Sequence, residues 1–235
     1  MILERIAGSR FSRVLRTWEG ETVALFGGGP SLTREQIAEV EGRAKAIAIN
    51  HAYLWAPWAE AHYAADSHWH RWHTEGIGKP LIGMKAAEVK VCWGAFGGEK
   101  CSIQNSGANI EDPAVHILRN KTFPDHSIGL SLDPEALVTG RNSGFQALNL
   151  AILAGAARVI LLGFDAQPDR DGKSHFFGEH PKATSSQAYP EYMRAFSAAE
   201  RPIKAAGVEV LNCSPGSAIN SFPKVALGDA LARRA

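Results

Sequence analysis

The chain contains few cysteines, almost no net charge and no long apolar block at its start. Three cysteines occur in 235 residues. Their odd number and spacing match neither a disulfide framework nor a zinc site, so we expect reduced thiols in a cytoplasmic protein. The net charge of +1 does not favour a broad surface for nucleic acid or membrane. The first 18 residues are too polar to span a bilayer and lack the apolar core of a signal peptide.

The composition is that of a soluble globular protein, with 45% hydrophobic and 21% charged residues. No repeat or clear linker divides the chain, so we expect one domain over residues 1–235. Within it, residues 1–20 carry apolar side chains scattered among charges. We predict that this segment is an amphipathic helix that packs on the domain.

Short apolar segments alternate with helical patterns along the chain. We predict strands over residues 22–26, 45–50, 61–66, 79–84, 89–93, 114–118, 158–165 and 208–214. Helices are predicted over residues 31–42, 142–156, 185–207 (one or two helices, broken near Pro190 and Pro202) and 222–235. This alternation predicts an α/β fold with a mostly parallel sheet and helices on both faces.

Ligands of open α/β sheets bind outside the carboxyl ends of the strands, and the notable residues gather there. The glycine turn FGGGPSLT follows the first core strand. Such a turn lets the backbone approach a phosphate closely, with Gly28 expected at positive φ, and the next helix start offers N–H donors. The turn matches neither a P-loop nor G-x-G-x-x-G, so a tight turn without a ligand is equally compatible with it.

A second helix start lies in TGRNSGFQALNL. Asn142, Ser143 and Gly144 open a long apolar helix, with Arg141 just before them. These small polar residues are typical helix caps. They also predict a second anion-binding helix terminus that faces the first across the end of the sheet.

The segment GFDAQPDRDGKSHFFGEHP places proton-transfer groups after a buried strand. Asp165 ends the strand, and His175 and His180 follow in a glycine-bounded loop. A histidine near its ordinary pKa can accept a proton from a hydroxyl at neutral pH. We therefore treat all three residues as candidate catalytic groups.

Two further motifs have structural readings. HYAADSHWHRWH contains four histidines, but their spacing matches no zinc motif, and Trp69 and Trp72 are typical anchors of a packed helix. We expect no metal site there. NCSPGSAINSFP forms either a plain turn or a cup for a base or ribose.

Taken in chain order, these segments resemble a known superfamily. The matching pieces are GGGPSL, AIN and AAD at two strand ends, NSGFQALNLAILAGAARVILLGFD, the histidine loop and VLNCSPGSAINSFP. They resemble the bacterial CMP-sialic-acid-dependent sialyltransferases with one Rossmann-like domain. They equally resemble the related family of archaeal 6-hydroxymethylpterin diphosphokinases and motility accessory factors. The resemblance covers about residues 22–223 and is strongest to small phage or prophage members.

The resemblance implies a Rossmann-like fold and a nucleotide site. By match to the sialyltransferase motifs, the nucleotide contacts would be Gly27, Gly29, Pro30, Ser31, Asn50, Ser143 and Gly144. The predicted set also includes Gly28, which stands where the family has Asn, together with Asp66 and Asn142. The family's catalytic base is the second histidine of Ser-His-x-x-Gly-His. The run here has one extra residue, so His180 matches the base and His175 is the fallback.

Two features of the sialyltransferases have no counterpart in this sequence. The tyrosines that steady the departing phosphate are missing from AQPDRDGK, and the long lid insert is absent. We therefore expect a nucleotide- or nucleotide-sugar-dependent transferase, glycosyltransferase-like, acting on an acceptor hydroxyl. The nucleotide would be a small-molecule substrate and not a tightly bound cofactor.

Two alternatives stay open. The first is an ATP-dependent diphosphokinase in which Asp66 and Asp165 converge on Mg²⁺. The second is a non-catalytic nucleotide-binding protein. In the transferase reading, Asp165 orients the acceptor or the histidine, or holds Mg²⁺ if a triphosphate is used.

Overall fold

The apolar segments of the chain form a parallel sheet that has helices on both faces. The computed structural model describes residues 1–77, 83–104, 110, 112–122, 129–178 and 188–232. Its strands are β1 Leu3–Arg5, β2 Ser12–Val14, β3 Thr22–Phe26, β4 Lys45–Ile49, β5 Ala61–Tyr63, β6 Glu99–Ile103, β7 Val115–Lys121, β8 Ala136–Val138, β9 Arg158–Leu162 and β10 Glu209–Asn212. Eight of them form one sheet in the order β10-β9-β3-β4-β5-β6-β7-β8, and each pairing in it is parallel.

Helices cover both faces of this sheet. They are α1 Arg34–Val40, α2 Ser67–Glu75, α3 Ala86–Ala95, α4 Ser143–Leu153, α5 Ala188–Ala205 and α6 Leu227–Ala232, with a 3₁₀ turn over Asn50–Leu54. Alternate strand residues enter two separate cores. Val23 and Leu25 pack with α4 and α5, whereas Ala24 and Phe26 pack with α1, α2 and α3. The predicted α/β fold with a parallel sheet is confirmed.

The strand order places a topological switch point between β3 and β9. From β3 to β8 the chain adds strands in one direction, and β9 and β10 are then added on the other side of β3. Chain connections leave β3 and β9 in opposite directions, which opens a crevice at their carboxyl ends. In open α/β sheets, a crevice of this kind is the usual place for a ligand.

Two predicted helix starts are confirmed in detail. Thr33 caps α1 by accepting from Gln36 N at 3.2 Å, and the Gln36 side chain accepts from Thr33 N at 3.0 Å. Asn142 caps α4 by accepting from Phe145 N at 3.0 Å. The predicted break near Pro202 is wrong, because α5 continues through this residue to Ala205. Pro190 lies in the first turn, where a missing N–H costs nothing.

The prediction of a helix over residues 1–20 is wrong. This segment contains the antiparallel pair β1–β2, in which Leu3 lies opposite Val14. The turn between them includes Gly8 at φ 70°. The backbone of Ile2 and Leu3 donates to the Glu99 carboxylate at 2.5 and 3.0 Å. These contacts from a distant part of the chain fix an extended conformation that local periodicity does not reveal.

The prediction of a strand over residues 89–93 is also wrong, since these residues belong to α3. Val89 and Trp93, four positions apart, are buried, while Val91 is 70% exposed. That spacing is helical, although the alternation of valines with polar residues imitates a strand. Most of the predicted strand over residues 79–84 lies outside the described residues, and β6 and β8 were missed. Within the described ranges, no helix is long and apolar enough to cross a membrane.

Four histidines are buried in the core beside α2. His62 and His70 donate from Nε2 to the carbonyls of Asn50 and Ala64, each at 2.9 Å. His73 donates from Nδ1 to Trp69 O at 2.7 Å and stacks on the Trp69 ring at 3.6 Å. The fourth, His51, lies 5.3 Å from His73 between ring centroids. In the described part of the chain, no three His, Cys, Asp or Glu side chains are grouped to hold a metal ion.

These histidines predict a loss of stability in acid. Burial lowers the pKa of His62 and His70, and it lowers that of His73 to about 3. Below about pH 6.5 these three histidines bind protons more readily in the unfolded chain than in the folded chain. The contribution of these histidines to the free energy of unfolding is therefore fully present above that pH. Below it, the contribution falls by roughly 1 kcal/mol per pH unit for each histidine.

Urea unfolding between pH 7.5 and 5.5 measures this slope. An unfolding free energy that stays flat across this range would contradict burial of neutral histidines.

Candidate functional site

A cleft of about 450 Å³ opens at the switch point. Most of the predicted site residues line it: Gly27, Gly28, Gly29, Asn50, Asp66, Asn142, Ser143, Gly144, Asp165 and His175. Pro30 and Ser31 do not belong to the described lining. His180, the predicted base, lies outside the described residues. The geometry thus brings together side chains from strand ends that are far apart in sequence.

The glycine turn is pressed against the end of β9. Gly27 N donates to Leu162 O at 2.7 Å, and Gly29 N donates to Gly163 O at 2.8 Å. A Cβ on Gly27 would lie 2.5 Å from Gly163 O, and one on Gly29 would collide with Asp165 Oδ2. Glycine is required at both positions by contact between two backbones.

The middle glycine of the turn behaves differently. A Cβ on Gly28 would lie 3.7 Å from the His175 and Phe177 rings, which is an ordinary contact distance. The expectation of a positive φ at Gly28 is wrong, because none of the three turn glycines has one. Residue 28 is therefore the one position of the turn that could carry a side chain without disturbing β9.

Asp165 connects the two strand ends across the switch point. Its Oδ2 accepts from Ser31 Oγ at 2.9 Å and from Ser31 N at 3.3 Å. Its backbone carbonyl accepts from Ala218 N at 2.7 Å. Burial raises the pKa of Asp165, and the hydrogen bonds from Ser31 oppose that shift. Because one carboxylate oxygen is already occupied, this geometry makes Asp165 a positioning residue for the turn.

The start of α4 points its first N–H groups at the cleft. Asn142 Oδ1 caps the third N–H of the helix, that of Phe145, and Asn142 O accepts from Gln146 N at 3.1 Å. The N–H groups of Ser143 and Gly144 precede these and have no acceptor within the helix. A Cβ on Gly144 would lie 2.7 Å from the Phe164 ring, so glycine lets β9 approach the helix. The result is a positive helix terminus beside the glycine turn.

Backbone strain is concentrated around the same cleft. Asn50, Arg141 and Ala166 have φ values of 52°, 54° and 51°, and all three line it. Left-handed conformations outside glycine cost about 1–3 kcal/mol and are found most often at functional sites. Of the three, only the asparagine is a residue type that adopts this conformation readily. The strain supports a functional role for this edge of the sheet.

The histidine loop folds back over the glycine turn. His175 Nδ1 lies 3.3 Å from Gly28 O, and Phe176 N donates to the same oxygen at 3.2 Å. The side chain of Phe176 packs on Trp55 at 4.2 Å between ring centroids. Phe177 packs on His51 at 4.4 Å. The two phenylalanines therefore anchor the loop and hold His175 at the cleft wall.

Sequence reasoning missed two tyrosines that line the cleft. Tyr189 and Tyr192 project from the first turns of α5, with ring centroids 6.2 Å apart. Burial raises the pKa of Tyr192, so its hydroxyl keeps its proton at neutral pH. The available signal was a Tyr-x-x-Tyr pair at a helix start, three residues apart and so on one face. The resemblance places such tyrosines between Asp165 and the histidine loop, whereas Tyr189 and Tyr192 follow that loop.

The motif NCSPGSAINSFP supports the site from behind. Ser214 Oγ accepts from Phe164 N at 2.8 Å, and Ser217 Oγ donates to Phe164 O at 2.6 Å. Both serines are buried. Of its two readings, the structure favours the turn, which holds the backbone just before Asp165, while Ile219 alone contributes to the cleft wall.

The sequence matches no protein-family model and no curated protein. Solved structures of similar fold include the sialyltransferase CstII from Campylobacter jejuni with cytidine-5'-monophosphate (TM-score 0.50, 15% identity). They also include sialyltransferase CST-II with a trisaccharide acceptor and CMP (TM-score 0.52, 14% identity) and CstII with CMP-3FNeuAc (TM-score 0.50, 14% identity). Each comparison covers 88% of this chain and 86% of the other. At this identity, the likeness establishes a shared fold.

The contacts of the glycine turn predict different outcomes for neighbouring substitutions. Gly27→Ala and Gly29→Ala should each lower the unfolding free energy by about 1–3 kcal/mol, because an added methyl group meets Gly163 O or Asp165. Gly28→Ala should change it by less than about 0.5 kcal/mol. Urea denaturation of the three variants provides the measurement. Equal losses at all three positions would show that the turn does not pack on β9 as described.

Proposed function

We propose that the chain is a nucleotide-sugar-dependent transferase that moves a sugar to an acceptor hydroxyl. The observation that carries this proposal is the convergence of the glycine turn, the start of α4 and the Tyr189–Tyr192 pair on one cleft at the switch point. Each of these can donate hydrogen bonds to a phosphate. Together they form a site suited to a group that gains negative charge during reaction.

The phosphate of the donor would lie between the start of α4 and the tyrosines. Two orphan N–H groups and the Ser143 hydroxyl face it from the helix, where the helix dipole favours an anion. The hydroxyls of Tyr189 and Tyr192 would face it from α5. When the sugar leaves, charge develops on the departing phosphate, and these donors stabilise it without reorganisation.

The fold neighbours support the choice of donor class. Two of the solved structures hold CMP and one holds CMP-3FNeuAc, and the second also holds a trisaccharide acceptor. In all of them the shared fold carries a nucleotide ligand. For this chain, the binding screen described below identifies the nucleobase and the sugar.

The acceptor hydroxyl must lose a proton during transfer, and the histidine loop would supply the base. His175 lies at the cleft wall, with its loop anchored by Phe176 and Phe177. His180 is retained as the base by resemblance alone. Asp165 would act indirectly, by fixing the turn under the donor.

Gly28→Val tests whether the glycine turn meets the ligand. Thermal shift and calorimetry with CMP, UMP, GMP, ATP with and without Mg²⁺, and their sugar conjugates first identify the ligand; at 100 times its Kd it adds about 2.7 kcal/mol. We expect Gly28→Val to weaken binding at least about tenfold while the melting temperature stays near wild type, since the added methyl groups fill the approach to the backbone.

Gly97→Val is the matched control, because Gly97 has open space around it, an ordinary φ and no part in the cleft. Unchanged affinity in folded Gly28→Val would remove the turn from the binding site. Binding of ATP only with Mg²⁺ would favour the diphosphokinase.

A pair of histidine variants assigns the base. His180→Ala should lower turnover by about 10²- to 10⁴-fold with little change in donor affinity, the contribution of a positioned base. His175→Ala should cost less. Steady-state kinetics with the identified donor measures both. A larger loss in His175→Ala would reassign the base, and wild-type turnover in both variants would remove the histidine loop from catalysis.

A further inference from the structure

The charges around the cleft are unevenly distributed. Its described lining contains two carboxylates, Asp66 and Asp165, and a single permanently charged cation, Arg141. Arg141 is already paired with Glu191, with Nε 3.1 Å from Oε2. A phosphate bound there would compete with Glu191 for Arg141. A second negative charge on the ligand would find no further permanently charged cation in the described lining.

Asp66 presents the more accessible of the two carboxylates. Its Oδ1 accepts from His68 N at 2.8 Å and caps α2. Its Oδ2 has no hydrogen-bond partner in the described part of the chain, and its side chain is 51% exposed. Asp165, by contrast, is 4% exposed and is bonded to Ser31. Asp66 is therefore the carboxylate that has both a free oxygen and access to a ligand.

Most of the remaining polar lining consists of amide and hydroxyl groups. Asn50, Asn142, Ser143, Gln167 and Ser174 all border the cleft. Amide and hydroxyl groups donate and accept hydrogen bonds, and a carboxylate accepts from up to four donors. This mixture complements a ligand rich in hydroxyl groups. It does not offer the paired cations that a carboxylate on the ligand would require when it is taken out of water.

Asp66 also has a fixed place relative to the glycine turn. It follows β5, which is two strands away from β3, and adjacent strands are about 4.8 Å apart. Two strand spacings put the end of β5 roughly 10 Å from the end of β3 along the sheet edge. A phosphate bound at the turn and at α4 leaves this flank to another part of the ligand.

We infer that Asp66 selects donors whose transferred sugar carries no acidic group. This inference rests on the proposed function and deepens it. The Asp66 carboxylate accepts hydrogen bonds from sugar hydroxyls, and it repels a carboxylate on the sugar. The chain would then differ in donor class from the CstII enzyme that binds CMP-3FNeuAc, while sharing its fold.

Matched donors test the inference by calorimetry at pH 7.5 and low salt. Two pairs differ only in the acidic group of the sugar: UDP-glucose with UDP-glucuronate, and GDP-mannose with GDP-mannuronate. CMP is the sugar-free reference for CMP-3FNeuAc. For the nucleotide that binds, we expect the acidic sugar to weaken binding at least about tenfold relative to the neutral one. For cytidine, we expect CMP-3FNeuAc to bind more weakly than CMP.

Asp66→Asn removes the negative charge of the side chain while keeping its ability to cap α2. Asparagine caps helices as well as aspartate does, so the melting temperature should change little. Discrimination against the acidic sugar should fall at least about fivefold. Asp133→Asn is the matched control: Asp133 is exposed, lies outside the cleft and caps the N–H two residues on, Glu135 N at 2.9 Å, just as Asp66 does.

The outcomes separate the two proposals. Binding of a nucleotide with equal affinity for acidic and neutral sugars overturns the inference and leaves the proposed function standing. Discrimination that persists in Asp66→Asn overturns the assignment to Asp66. Failure of every nucleotide to bind overturns the proposed function, and the inference with it.

Discussion

The close contact between the glycine turn and the end of β9 determines the rest of the site. Gly27 and Gly29 lie so near Gly163 and Asp165 that no side chain fits at either position. Because the two strand ends touch, the ligand edge narrows to a cleft, and α4 can direct its first N–H groups into it. Asp165, the acid at the end of β9, stabilises this contact because its carboxylate accepts a hydrogen bond from Ser31. Hydrogen bonds to a bound ligand would therefore come mainly from the groups around Asp165.

The wall of the cleft continues into the aromatic core behind it. Phe177 lines the cleft and packs on His51, which in turn lies 5.9 Å from the Trp69 ring. Trp69 also lines the cleft, and His62 and His73 both stack on its ring. His62, His70 and His73 thus fill space next to the site as flat, polar rings that are hydrogen-bonded to backbone carbonyls. They explain the histidine-rich sequence around residue 70 by packing alone.

The strands with continuous apolar runs could be predicted from the sequence, because burial on both sides of a parallel sheet leaves a plain signal. TVALF, KAIAI and RVILL are found where they were expected. The β1–β2 pair could not be predicted, since Glu99, which bonds its backbone, is nearly 100 residues away. α3 was missed because valine alternation and helical spacing coincide over five residues.

For the site, the positions at strand ends and at the α4 cap were predictable, since parallel strands bring their carboxyl ends to one edge. The reason for the glycines of the turn was not predictable from the sequence, because it lies in their contact with the end of β9 and not in the dihedral angles of the turn. Tyr189 and Tyr192 follow the histidine loop, so the order of motifs along the chain does not predict them. Their role in binding, like that of the other predicted residues, stays a prediction.

The central pairing of the sheet has a consequence for the order in which the protein forms. Strand β3 is one of the first to be made, yet its partner β9 lies more than 130 residues later, and Ser31 meets Asp165 at a separation of 134. Pairings of such high contact order form slowly, because a long loop must close first. During synthesis, one edge of β3 is exposed until residue 162 has emerged. The cleft is consequently among the last parts of the fold to assemble, and no N-terminal half of the chain can contain it.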